Sequence, residues 1–171
     1  MKRILVFLAV TALASTAAHG QSVDRKFDRF QNTTEFGVKK VTVSGGGFTG
    51  NDIDLTTFYV CEGDVPACLP KSVELLFSQS GDDWRYLDDH SFVLLLDGKN
   101  RVDVDPSGYD GRVGEGYVLE FQEVRLTPQQ IRKVASATTV EAQWGTSEFK
   151  FSDKSLKAIR ALAATLPAAS Q

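Results

Sequence analysis

A change of period constrains this chain more than any other feature of its 171 residues. Between residues 35 and 126 apolar side chains recur at every second position in short runs divided by Gly, Asp and Asn. After Thr127 helical spacing appears twice, on either side of one more alternating hairpin. A strand sends successive side chains to opposite faces, whereas a helix returns to one face every three or four residues. The first part therefore predicts a β-meander and the second adds helices.

The runs are specific. Phe36, Val38, Val41 and Val43 lead to Gly45, Gly46 and Gly47, a flexible turn. Ile53 opens a second run that ends with Phe58, Tyr59 and Val60. Val73, Leu75 and Phe77 alternate with Glu74 and Leu76. Phe92, Val93, Leu94, Leu95 and Leu96 are apolar on both faces and stop at Asp97 and Gly98, a hairpin signal. Val102 and Val104 flank Asp103. Tyr117, Leu119 and Phe121 alternate with Val118 and Glu120, but Val124 and Leu126 fall out of phase, which predicts a bulge near Gln122 and Glu123.

Thr127, Pro128 and Gln130 spell a helix start: a hydroxyl cap, a proline at the first helical position, and an amide to close a capping box. Ile131, Val134 and Ala135 share one face of that helix. Val140, Ala142 and Trp144, then Gly145, then Phe149 and Phe151, form a hairpin pattern. Ser152 and Asp153 begin a second helix with the stripe Leu156, Ile159, Leu162, Ala163 and Leu166, stopped by Pro167. The expected fold is α+β: an antiparallel sheet of about six to eight strands with two amphipathic C-terminal helices, a strand–helix–hairpin–helix unit spanning 117–166. Residues 124–134 resemble residues 149–159 at an offset of 25, either as a repeat or through shared helix-start grammar.

One domain suits the length. Residues 1–20 read as a secretory leader: Lys2 and Arg3, an apolar run at 4–14, and small residues up to Gly20 before a cut at Gln21. Residues 21–34 read as a polar leader, frayed or forming one short helix, and 35–171 as the domain. Asn32, Thr33 and Thr34 form a glycosylation sequon. No later segment is apolar for long enough to span a bilayer. The expected location is periplasmic or secreted. Removing Lys2 and Arg3 leaves 17 basic against 22 acidic residues, a net of −5. That charge excludes a nucleic-acid partner, whose phosphates demand cations. Residues 125–171 carry +4 and residues 21–124 carry −9, a division that suits steering of a partner or merely solvated helix lysines.

In an oxidising compartment the two cysteines, Cys61 and Cys68, are expected to be joined. Gly63 and Pro66 allow the turn. So small a ring contributes roughly 2.5 kcal/mol in the chain-entropy picture. The spacing is not that of a redox dithiol, and no second pair completes a zinc site.

The chemistry candidates are sparse. After the leader one histidine remains, His90, beside Asp88 and Asp89; it offers a base oriented by a carboxylate. Acidic pairs at Asp52 and Asp54, Asp82 and Asp83, Asp88 and Asp89, and Asp103 and Asp105 offer a hydrolase's carboxylates, or simply turn formers. Asp103, Asp105 and Ser107 at alternate positions, then Gly108 and Tyr109, match the first half of a calcium loop; position 12 is Gly114 instead of the acid such a loop requires. Trp84 and Tyr86 are the expected exposed aromatic pair, suited to a glycan or a peptide. These features favour an exported non-enzymatic module that binds an envelope or extracellular protein or glycan without a cofactor. A hydrolase built on loop carboxylates and His90, and a calcium-stabilised secreted protein, are the alternatives.

Overall fold

The computed structural model describes residues 21–44 and 52–168. The expected leader, 1–20, and the glycine turn after Ser44 lie outside the described residues. The elements in order are β1 (Asp24–Asp28), β2 (Thr33–Ser44), β3 (Ile53–Glu62), β4 (Val73–Gly81), β5 (Phe92–Leu96), β6 (Asn100–Asp103), β7 (Asp105–Gly114), β8 (Tyr117–Leu126), α1 (Pro128–Ser136), β9 (Val140–Trp144), β10 (Ser147–Lys150) and α2 (Asp153–Thr165).

The fold is α+β and every strand pair is antiparallel. Six strands form a large sheet in the order β1-β2-β3-β4-β8-β7, and four form a small sheet in the order β10-β9-β5-β6. Ten described strands in two sheets thus exceed the six to eight expected. Residues 24–28 are a strand rather than a frayed leader or a helix: β1 pairs along its whole length with β2, from Asp24 opposite Gly37 to Asp28 opposite Thr33.

Alternation assigns the faces. Leu55, Tyr59, Val73, Leu75, Phe77, Val124 and Leu126 are buried on the inner face of the large sheet. On β2 a register shift between Val38 and Val41 places Lys39 and Lys40 both outside and returns Val41 and Val43 to the core. β8 corrects its expected bulge. Its register against β4 is continuous from Val118 to Leu126, and the irregularity lies on β7, between Pro106 and Gly108. The inward residues are therefore Val118, Glu120, Gln122, Val124 and Leu126, and Tyr117, Leu119 and Phe121 face outward.

The inner face is covered in two ways. α1 and α2 pack on each other, and α2 lies over β2 and β3. Thr127 and Gln130 close the expected capping box on α1. Ser152 caps α2 and also donates to Thr42 O at 2.9 Å, tying the start of that helix to the end of β2. The small sheet covers the rest: Phe77 of β4 meets Phe92 at 4.7 Å, Phe149 at 6.1 Å and Phe151 at 6.0 Å, measured between ring centroids. No helix among the described residues is long and apolar enough to cross a membrane.

Candidate functional site

Two places concentrate functional side chains. The first is a strap, residues 82–91, which carries the chain from β4 in the large sheet to β5 in the small one. Its polar sequence offers few apolar anchors, so a buried carboxylate holds it. Glu120, fully buried on β8, accepts Tyr86 N at 2.7 Å and Tyr109 Oη at 2.9 Å on one oxygen, and Arg85 N at 2.9 Å on the other. The strap's far end is pinned by Gly145 N donating to Ser91 O at 2.8 Å.

Trp84, Tyr86, His90 and Tyr109, which are scattered in sequence, meet here. The His90 ring stacks on Tyr109 at 3.8 Å, within 14° of parallel. Trp84 lies over Gly111 of β7: a Cβ at that glycine would stand 2.1 Å from the indole, so glycine is what admits the ring. Tyr86 differs from expectation. It is buried and stacks on Trp144 at 3.7 Å, because the bond from its N–H to Glu120 turns its ring into the space between the sheets. Trp84 is half-buried, so no exposed aromatic pair forms.

The electrostatics suit a lock. Burial raises the Tyr109 phenol well above its ordinary range, and its hydrogen bond to Glu120 and the Glu120 charge raise it further. Tyr109 therefore stays protonated and keeps donating. Hydrogen bonds from Ser91 hold the Asp89 carboxyl below its usual range. Glu120 has its oxygens turned to backbone and phenol donors, out of reach of a solvent-borne substrate. The acidic pairs are also dispersed. Asp54 of β3 accepts from Thr42 at 2.9 Å and pairs with Lys40 at 2.8 Å. Asp105 lies opposite Arg125, five residues along β8 from Glu120, a distance of roughly 17 Å.

The calcium pattern is not realised as a loop. Asp103 closes β6 and Asp105 opens β7, so the segment is extended and its ligand positions are strung out along it instead of wrapping around one point. Asp103 accepts from Arg101 at 2.8 Å, Ser107 donates to Glu123 at 2.8 Å, and Tyr109 is committed to Glu120. Among the described residues no three His, Cys, Asp or Glu side chains are placed to hold a metal ion.

The second place is a cleft of about 660 Å³ on the outer face of the large sheet. Its floor is β3, β4 and β8, with Phe58, Val60, Glu74, Glu123 and Arg125; its wall is the loop closed by the Cys61–Cys68 disulfide, with Leu69, Pro70 and Lys71. Arg125 lies between Glu74 at 3.2 Å and Glu123 at 2.8 Å. Their carboxylates, Glu74 foremost, raise it above the ordinary guanidinium range. Val60 and Leu69 stay 44% and 55% exposed, and Phe30, on the neighbouring β1–β2 turn, is 86% exposed. Gly63 N donates to Asn32 O at 2.7 Å, which joins that turn to the disulfide loop.

Sequence reasoning placed the disulfide but missed both Glu120 and the cleft. The phase break on β8 was the signal for Glu120, since an unbroken strand forces a carboxylate inward. The two-sheet architecture, with its helix-backed large sheet and strap-locked edge, defines an antiparallel α+β domain. Comparison with protein-family models, curated proteins and solved structures finds no match to this chain.

Proposed function

We propose that this chain is an exported, non-enzymatic binding module of the cell envelope, and that its binding surface is the cleft beside the disulfide. The observation that carries the reading is that exposed Val60 and Leu69 line one concavity. Exposed apolar side chains grouped on a polar surface mark interaction sites. The chemistry favours a polypeptide over a glycan. Glycan sites present flat aromatic rings, and the rings expected for that role are spent on the strap, with Tyr86 against Trp144 and Trp84 over Gly111. The cleft instead sets apolar side chains between Glu62 and Lys71, charges a peptide answers in kind.

The test is capture from the envelope fraction with the tagged full-length chain. A partner held by the wild type and by Val113→Asp, but lost with Leu69→Asp, supports the reading. Val113 is exposed at the opposite end of the large sheet and serves as the control. Capture that survives Leu69→Asp removes the cleft from the account, and no partner in any arm removes the module. Export is read separately, from the first residue of protein recovered from periplasm or medium: Gln21 supports it, and Met1 overturns it.

A further inference from the structure

We propose that the Cys61–Cys68 disulfide is a two-electron switch that holds the cleft's wall in place, so that reduction weakens binding; the inference rests on the cleft being the binding surface. The two flanks of the loop are fixed without the disulfide. On one side Gly63 N donates to Asn32 O, Thr34 Oγ1 donates to Gly63 O at 2.6 Å, Val65 N donates to Thr34 Oγ1, and Arg25 reaches Val65 O and Asp64. On the other side Ser72 donates to Glu74 at 2.7 Å and β4 begins at Val73. Residues 66–71 between them make no hydrogen bond to the described residues. Apart from the packing of Pro70, Cys68 alone ties that segment to β3, and Leu69 follows it directly.

The two sulfurs differ in access. Cys61 is buried at 3% exposure in the β3 ladder opposite Thr34, whereas Cys68 is half-buried. A thiolate of an exported dithiol would therefore attack Cys68 Sγ. The Sγ–Sγ bond breaks, and Cys61 leaves as thiolate and takes a proton. The second thiolate of the reductant then attacks its own sulfur in the mixed disulfide and releases Cys68, which is protonated in turn. The protein gains two electrons and two protons, and the dithiol becomes a disulfide. β3 keeps its ladder to β2 through Glu62 and its ladder to β4 as far as Phe58, so the change is confined to the wall.

The experiment compares oxidised protein, dithiothreitol-reduced protein and the Cys61→Ala/Cys68→Ala variant, using backbone relaxation and partner capture. On reduction the order parameters of Ala67, Leu69 and Lys71 are expected to fall from about 0.85 to below about 0.6, with those of β3 and β4 unchanged. Capture is expected to weaken by about tenfold or more and to return on reoxidation of the wild type alone. Unchanged order parameters overturn the switch while leaving the cleft reading intact. Loss of dispersion across the whole spectrum also overturns it, because the disulfide then staples the fold. A mobile wall with undiminished capture overturns the gating; if Leu69→Asp fails to affect capture as well, the binding surface itself is refuted.

Discussion

Arg132 and Arg160 close each other's helices. Arg132, on α1, donates to the carbonyls of Leu166 and Pro167 at the end of α2, and Arg160, on α2, donates to Ala135 O at 2.9 Å and Ala137 O at 2.8 Å at the end of α1. The last carbonyls of a helix lack intrahelical partners and carry the negative end of its dipole, so a guanidinium there answers both. The exchange locks the two helices into one cap over the large sheet. Arg160→Ala should cost about 1–2 kcal/mol in urea unfolding, against nearly nothing for the exposed Lys157→Ala. Equal midpoints for the two variants would show that the reciprocal capping contributes nothing.

The Glu120 lock predicts a graded series. Glu120→Ala strands Arg85 N, Tyr86 N and Tyr109 Oη without an acceptor and should cost about 3 kcal/mol or more. Glu120→Gln keeps one acceptor oxygen and should cost about half as much. Both should expose the bond after Arg85 to trypsin before global unfolding. Protection of that bond in Glu120→Ala would mean that the sheets, not the carboxylate, hold the strap.

Tyr109 makes stability depend on alkaline pH. Its folded pKa lies above the unfolded value of about 10, so its contribution is complete below pH 10 and is lost as pH rises through the higher folded value. The unfolding midpoint should fall above pH 10, and the fall should be shallower in Tyr109→Phe. Tyr59 adds to the trend, since burial raises it too. Identical slopes for Tyr109→Phe and wild type would assign the alkaline loss elsewhere.

Gly111→Ala tests the seat of Trp84. The added Cβ would collide with the far edge of the indole, which has room to swing toward solvent, so the stability cost should stay below about 1 kcal/mol. The visible result should be a red-shifted emission component, because Trp84 leaves the sheet while Trp144 stays buried. An unshifted spectrum would place Trp84 off the glycine.

The strands with one buried face, β3, β4, β9 and β10, and both helices were legible in the sequence. Burial imposes a period, and the caps at Thr127 and Ser152 mark the helix starts. The strands hard to read were β1 and β7. Both are edges of the large sheet, with few or no fully buried side chains, so no hydrophobic alternation announces them. Pro106 and three glycines make β7 look like loop, and an edge strand tolerates all four. The site was half legible. His90, Trp84, Tyr86 and Tyr109 stood out one by one, but only strand pairing could reveal that Glu120 gathers their backbone and ring partners. The cleft was invisible because its parts come from residues 58 and 125 and a loop between them.

α2 covers β2 and β3, the first long hairpin made, through Tyr59 Oη and Thr165 Oγ1 at 2.9 Å and through Ser152 on Thr42. A growing chain therefore completes this greasy hairpin long before the lid for it has been synthesised. Until some hundred further residues have emerged, that surface must be shielded by a chaperone, and any stop codon ahead of residue 152 should yield an insoluble product rather than a smaller working one.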